Sequence, residues 1–198
     1  FSGSEAGNAL ADVVFGAANP SGKLPFTVPA RLEDNGAHAL GEYPGADKVK
    51  YNESIFVGYR WHDKEQLKPL FAFGHGLSYT AFAVGNVKAD RTTLAPNGSI
   101  RISADVTNTG DRAGAEVVQL YIGDEQSSLP RPVKELKGFQ KVSLNPGQTQ
   151  TVTFEITPGM LQYYDDAKGA WVAEPGAFTA YVGAASDDIR GTVEFELK

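Results

Sequence analysis

The chain has 198 residues, of which 41% are hydrophobic and 21% charged, and its formal net charge is −6. These values are typical of a globular protein of one or two domains. No block of Lys or Arg occurs, so the electrostatic signature of binding to nucleic acid or an anionic membrane is missing. No apolar run reaches the roughly 20 residues that a membrane-spanning helix needs. The sequence contains no cysteine, which excludes disulfides and thiolate metal sites.

The first part of the chain combines a helical pattern with a short extended one. The apolar residues of EAGNALADVVF lie at helical spacing, which predicts an amphipathic helix over residues 5–15. Leu24 to Val28 follows as a predicted short strand that Pro29 ends. One helix and one strand cannot enclose a core. We therefore expect this segment to need a partner surface and the chain to begin in mid-domain.

The next residues are less regular. Residues 31–50 show no period and predict a long loop. The apolar run IFVGYRW at residues 55–61 is typical of a buried strand. A stretch rich in aromatic residues and glycine, PLFAFGHGLSYTAF, follows it, and its glycines permit a tight backbone turn.

From Phe82 onward, apolar and polar residues alternate, which is the pattern of half-buried strands. Turn signals such as Asn145-Pro146-Gly147 separate the segments. Seven strands without intervening helices predict an antiparallel β-sandwich of the immunoglobulin kind. A helical turn is expected at residues 158–164. The seven segments are VKADRTTL, SIRISADVTN, EVVQLYIGD, KELKGFQKVSL, QTVTFEI, FTAYVGA and TVEFELK.

Five motifs together resemble family 3 of the glycoside hydrolases, the family of many β-glucosidases. The resemblance covers nearly the whole chain, with the motifs in the family's order. They are GSEAGNALADVVFGAANPSGKLPFT, YNESIFVGYRWHD, PLFAFGHGLSYTAF, VTNTGDRAGAEVVQLYI and RPVKELKGFQKVSLNPGQT.

The resemblance implies a fold that is mainly β, in two parts. Residues 1–76 would be the C-terminal remnant of the family's α/β sandwich domain with a long loop. Residues 77–198 would be its fibronectin type III-like β-sandwich. In the family, a (β/α)8 barrel supplies an aspartate nucleophile and the α/β domain supplies the acid/base. Both carboxylates would lie upstream, so we expect this chain to be inactive alone.

The resemblance also implies the partners. They would be the upstream barrel and α/β domains of a parent enzyme and, through that parent, β-glucoside oligosaccharides. A homodimer is left open, no cofactor is expected, and neither nucleic acid nor a membrane is expected as a partner. We expect a periplasmic or secreted bacterial protein rather than a cytoplasmic one, although the residues leave the compartment open.

The carboxylates present do not replace the missing pair. Glu5 and Asp12 share the predicted helix, but seven residues correspond to roughly 10 Å of rise. Retaining glycosidases need two carboxyl groups about 5 Å apart. A structural role at the start of the helix is therefore the better interpretation.

Arg60 and Phe71 are the candidate substrate-binding residues. A guanidinium donates hydrogen bonds to sugar hydroxyls, and an aromatic ring covers the apolar face of a sugar. Both residues follow the long loop, so they are placed to border the sugar site of the same or a neighbouring subunit. The alternative is core packing, with Arg60 paired to an acid such as Asp63.

Other groups of residues give weaker indications of a functional site. Three histidines far apart in the sequence do not make a zinc site. The aromatic residues Tyr163, Tyr164 and Trp171 form either a carbohydrate-binding platform or a cap on one end of the sandwich. Seven residues are predicted to lie in or near the core, namely Val117, Leu120, Tyr121, Phe154, Phe178, Tyr181 and Phe195.

Three functions remain open at this point. The first is the non-catalytic C-terminal part of a β-glucosidase-type enzyme, which stabilises the enzyme and trims the rim of its active site. The second is a free-standing carbohydrate-binding or adhesion module, a role that fold alone cannot establish. The third is one chain of a nicked or two-gene enzyme.

Overall fold

The computed structural model describes residues 3–198, so Phe1 and Ser2 of the predicted first domain lie outside the described residues. Within this range there are four short α-helices, one 3-10 turn at Leu32–Asp34 and ten strands. The helices are α1 (Ala6–Val14), α2 (Gly36–Ala39), α3 (Tyr59–Lys64) and α4 (Pro158–Leu161). The strands are β1 (Phe82–Ala89), β2 (Thr93–Leu94), β3 (Ile100–Asn108), β4 (Gly114–Asp124), β5 (Glu135–Leu144), β6 (Thr149–Ile156), β7 (Tyr163–Asp165), β8 (Ala170–Val172), β9 (Gly176–Ala185) and β10 (Asp188–Leu197).

The strands build the predicted sandwich. One sheet has the order β1-β3-β6, and the facing sheet has the order β2-β10-β9-β4-β5. The seven long strands pair antiparallel, and the two-residue β2 adds a short parallel pairing to β10. The two strands β7 and β8 form a separate hairpin at one end of the sandwich. The mainly β, fibronectin type III-like fold is thereby confirmed.

The core lies between the two sheets. Alternate residues of β3, such as Ile100 and Ile102, are fully buried, as period-two patterning requires. Phe178 and Phe195 stack in its centre with ring centroids 5.7 Å apart. Of the seven predicted core residues, Val117 and Tyr181 are only partly buried and the other five are buried.

Strand β4 departs from simple alternation, because Val118 to Gly123 are buried without interruption. Its outer face is covered by the segment that precedes the sandwich. There the Tyr121 ring meets the Tyr59 ring edge-on at 5.7 Å. The buried Gln119 amide donates to the backbone oxygen of Gly74 at 3.2 Å. The two parts of the chain therefore share a packed boundary.

The predicted first helix is present as α1, but the predicted strand at residues 24–28 is reduced to a single bridge. Val28 pairs with Phe71, and Leu24 exchanges backbone hydrogen bonds with Gly74 and His75. Pro25 lies between these two contacts and has no N–H to donate, so a continuous ladder cannot form.

The strand predicted at residues 55–61 is wrong. Gly58 adopts φ +62° and ψ −129°, a region open chiefly to glycine, and the chain then turns into α3. The helix buries Trp61 and His62 and leaves Arg60 partly exposed. Tyr59 of the run packs on the sandwich, whereas Ile55 and Val57 are exposed. Periodicity alone does not separate a strand from a short helix in such a run.

The long loop predicted at residues 31–50 contains two single turns of helix. The 3-10 turn is closed by Asp34, whose carboxylate accepts from the backbone N–H of Arg31 at 3.2 Å. The turn α2 is capped by Asn35, whose side-chain oxygen accepts from the backbone N–H of Ala37. The remainder is irregular.

Candidate functional site

Helix α3 is fixed to the start of β5 by three successive residues. The Lys134 ammonium contacts the Asp63 carboxylate at 2.6 Å. The Arg60 guanidinium contacts the Glu135 carboxylate at 3.0 Å. The backbone N–H of Leu136 donates to the Tyr59 hydroxyl oxygen at 2.9 Å. Asp63, the acid expected to pair with Arg60 if that residue only packs, therefore pairs with Lys134 instead.

Glu135 is the centre of a compact charged cluster, because Arg60, Arg131 and Lys137 all lie within ion-pair distance of its carboxylate. Burial raises the pKa of Glu135, but Lys137 and a hydrogen bond from Arg131 outweigh this effect. Arg60 acts in the same direction, so the pKa lies below its usual value of 4.5. Arg131 also contacts Asp124 at 3.0 Å. Glu135 is thus held ionised beside Arg60.

Arg60, Arg131 and Glu135 of this cluster form the polar floor of a groove of about 520 Å³ at one end of the sandwich. This volume lies within the range of about 300–1,000 Å³ that is usual for small-molecule clefts. Residues 54–56 line one side, and residues 129–132 line a second side. The aromatic residues around β7 and β8 complete it, namely Tyr163, Tyr164 and Trp171. We call this site the hairpin groove.

The two outer aromatic rings of the hairpin groove are largely in solvent. Tyr164 and Trp171 are directly paired across the hairpin, with ring centroids 5.7 Å apart and an angle of 69° between the rings. Their exposed fractions are 49% and 65%. Of the two predicted roles, a cap on the sandwich would bury these rings, and they are not buried.

The hairpin itself is rigidly held. The Asp165 carboxylate accepts from the backbone N–H groups of Ala167 and Lys168 and contacts the Lys168 ammonium at 2.9 Å. The hydrogen bond from Lys168 lowers the pKa of Asp165, so this turn stays charged and closed. Tyr163 is fixed between the Arg131 guanidinium, which lies over its ring, and the Ser128 hydroxyl.

Phe71 lies elsewhere. It forms the backbone bridge to Val28, and its ring packs on His75 with centroids 5.3 Å apart. Its side chain is 43% exposed, and it does not line the hairpin groove. The structure therefore brings Arg60 together with Glu135 and Trp171, and it does not bring Arg60 and Phe71 to one cleft.

A small polar cavity of about 60 Å³ lies on the other side of the segment 53–61. Four buried polar atoms in its lining have no hydrogen-bond partner within the described chain. They are Thr27 Oγ1, Glu53 Oε2, Trp61 Nε1 and His62 Nε2. Because His62 Nδ1 lies 3.0 Å from the backbone oxygen of Gly58, this contact favours the tautomer that leaves Nε2 as an acceptor.

The remaining candidates carry no chemistry that the geometry supports. Glu5 precedes α1, and its carboxylate accepts a hydrogen bond from the Asn8 amide. Across residues 3–198, no three His, Asp or Glu side chains converge as metal ligands would. Over the same range, none of the helices is both long and apolar enough to cross a membrane.

Two family models match the chain. The glycosyl hydrolase family 3 C-terminal domain matches residues 1–79, and the fibronectin type III-like domain matches residues 116–186. The first match holds the segment with Arg60 and Phe71, and the second holds the hairpin with Trp171.

Similar proteins are β-glucosidases. The chain is 53% identical over 197 residues to beta-glucosidase BoGH3A of Bacteroides ovatus, covering 98% of the chain and 26% of that relative. The GH3 beta-glucosidase structure from Bifidobacterium adolescentis superposes with a TM-score of 0.89 at 38% identity, covering 96% of the chain and 28% of that protein. A Kluyveromyces marxianus beta-glucosidase structure solved in complex with glucose superposes with a TM-score of 0.87 at 43% identity. The match covers 97% of the chain and 23% of that protein. The chain spans about a quarter of the length of these proteins.

Proposed function

Because the chain belongs to family 3 of the glycoside hydrolases, whose C-terminal part it matches, we propose that it completes and stabilises a β-glucosidase-type enzyme without supplying catalytic groups. The parent would hydrolyse terminal β-D-glucosyl residues. We place the junction of the two domains between residues 76 and 77, ahead of β1.

The observation that carries this proposal is the uncovered surface of the first 80 residues. Among residues 3–198, twenty large apolar side chains are exposed, and fifteen of them lie in this part. Helix α1 has no buried residue, and Leu10, Val14 and Phe15 are each more than 60% exposed. Covering one such side chain stabilises a protein by about 1.5–3 kcal/mol. A second part of the enzyme is needed to cover this face.

The sandwich does not have such an uncovered apolar surface. Five large apolar side chains beyond residue 80 are exposed, and its core is closed between two sheets. A free-standing module would need only the sandwich. The uncovered α1 and its neighbours favour the enzyme part over the module.

Docking of α1 can be tested by assembly. The segment of BoGH3A that precedes the region matched here is co-expressed with this chain, and the complex is followed by size-exclusion chromatography. We expect a one-to-one complex that Leu10→Asp and Phe15→Asp abolish. The matched control is Phe139→Asp, which adds the same charge at a residue on β5 that is 66% exposed, and it leaves the complex intact. A complex that tolerates both α1 variants would contradict the proposal.

We further propose that Arg60 and Phe71 border the sugar site of the assembled enzyme. Arg60 supports this because a third of its side chain is exposed at the hairpin groove. Phe71 supports it through an exposed ring packed on His75. The two residues lie at separate places, so they would contact different parts of a substrate or different substrates.

A further inference from the structure

We infer that the hairpin groove is a binding site for a β-linked gluco-oligosaccharide, with Tyr164 and Trp171 as the stacking platform and Arg60 and Glu135 as the hydrogen-bonding floor. The choice of glucose units rests on the proposed function. The groove itself is formed entirely by this chain.

The exposed rings are the first reason. Exposed Tyr and Trp side chains are enriched at binding surfaces, and two of them lie side by side here. Trp171 and Tyr164 stand at an angle of 69° on a hairpin held by the Asp165 turn. Rings fixed in this way lose little conformational entropy when a ligand covers them.

The charge of the floor selects the class of ligand. Arg60, Arg131 and Lys137 all lie within ion-pair distance of Glu135, and Arg131 also pairs with Asp124, so each cation already has a carboxylate partner. A phosphate or carboxylate ligand would have to compete with Glu135 for these cations. A neutral polyol fits, because its hydroxyl groups both donate to a carboxylate and accept from a guanidinium.

The same floor argues against an apolar protein segment as the occupant. Such a segment would bury the N–H groups of Arg60 that Glu135 does not use, as well as a carboxylate. Burying charged groups without hydrogen-bond partners is unfavourable. A sugar covers the rings with its C–H face and meets the floor with its hydroxyl groups, so it satisfies both kinds of surface.

The chain contains only two tryptophans, which makes the test direct. Trp61 is 6% exposed and Trp171 is 65% exposed, so quenching of tryptophan fluorescence by acrylamide reports on Trp171. We expect cellotetraose to protect Trp171 saturably in the 198-residue chain. No saturable protection at concentrations up to about 10 mM would overturn the inference.

Variants locate the site by calorimetry with the same ligand. Trp171→Ala and Tyr164→Ala should each weaken binding about tenfold, and Arg60→Met about fivefold. The matched controls Tyr51→Ala and Phe139→Ala remove aromatic rings that are 78% and 66% exposed outside the groove, and they should bind as the unmodified chain does. Emission from the buried Trp61 shows that the Trp171→Ala variant is folded.

Two further results would contradict the sugar site. One is equal weakening by Phe139→Ala, which would indicate nonspecific contact. The other is a Trp171 that is already protected from acrylamide in the complex with the BoGH3A segment, before sugar is added, which would show that protein covers the groove. Because binding is measured without turnover and away from α1, failure here leaves the assembly test of the proposed function unaffected.

Discussion

Gly74 shows how a single residue joins the two parts of the chain. Its φ is +81°, and a β-carbon placed there would lie 2.3 Å from Gln119 Oε1. Gln119 cannot move aside, since its amide donates to Gly74 and Ala184 and its oxygen accepts from the Tyr121 hydroxyl. Burial raises the pKa of Tyr121, so this hydroxyl keeps its proton and remains a donor.

Gly74→Ala is therefore expected to lower the free energy of unfolding by about 2–4 kcal/mol, from backbone strain and the clash with Gln119 together. Urea denaturation followed by fluorescence measures the change. Gly147→Ala is the matched control, because its φ is +73° but a β-carbon there meets nothing within 4 Å. Gly147→Ala should lower the free energy of unfolding by about 1 kcal/mol. An equal decrease in the free energy of unfolding of the two variants would show that the clash with Gln119 does not add to the destabilisation.

Arg60 and Phe71 are tested in a chimera in which this chain replaces the matching segment of BoGH3A. If they border the sugar site, Arg60→Ala and Phe71→Ala should each lower kcat/KM, by about 1–3 kcal/mol in transition-state stabilisation. Rates are normalised to folded enzyme. Unaltered kcat/KM in both variants, with only a lower melting temperature, would mean that these residues only pack.

At the scale of elements, the junction of α3 with β5 depends on pH through Glu135. The folded-state pKa of Glu135 is lowered, so its contribution is present above its usual value of 4.5 and is lost as the pH falls through the lower folded value. Acid should therefore weaken the α3 junction.

The measurement is the urea midpoint as a function of pH. After allowance for solvent screening, Glu135→Gln should lower the free energy of unfolding by about 1–3 kcal/mol at neutral pH. In this variant, stability should also decline less steeply below pH 4.5. Glu33→Gln, which changes an exposed carboxylate outside the cluster, serves as the control. A decline as steep in Glu135→Gln as in the unmodified chain would assign the acid sensitivity to other groups.

Strands were predictable from the sequence where one face meets the core and the other meets solvent. Alternation in segments such as SIRISADVTN marks β3 directly. It could not identify α3, because the backbone turn at Gly58 and the contacts of Tyr59 and Arg60 with β5 leave no signal in the apolar run IFVGYRW. The hairpin of β7 and β8 was not predicted, because three-residue strands have too few positions to show a period.

The candidate site was predictable in its residue types but not in its partners. Arg60 stood out by its chemistry, and Tyr164 and Trp171 by their ring faces. Glu135 carried no signal, because its contact with Arg60 joins residues far apart in the chain. Phe71 was grouped with Arg60 by closeness in sequence, but the chain leaves α3 after Lys64 and Phe71 forms its bridge to Val28 at a different place.

For the whole molecule, the contrast lies between a closed sandwich and an open first part. The sandwich buries its own core, and the contacts of Tyr59, Asp63 and Gly74 fasten the preceding segment to it. That segment in turn presents α1 and its exposed apolar neighbours outward. In our account, the sandwich is the rigid support that holds this face in place for the rest of a β-glucosidase.

The most direct test of this account is the rate of aryl β-glucoside hydrolysis by three proteins at equal concentration. They are the chimera with BoGH3A, BoGH3A lacking the matching segment, and this chain alone. We predict activity in the chimera and none above a buffer blank in the other two, because in the proposed function this chain supplies structure and the preceding part supplies the carboxylates. Hydrolysis by this chain alone that survives repurification, or full activity of BoGH3A without the segment, would contradict the account.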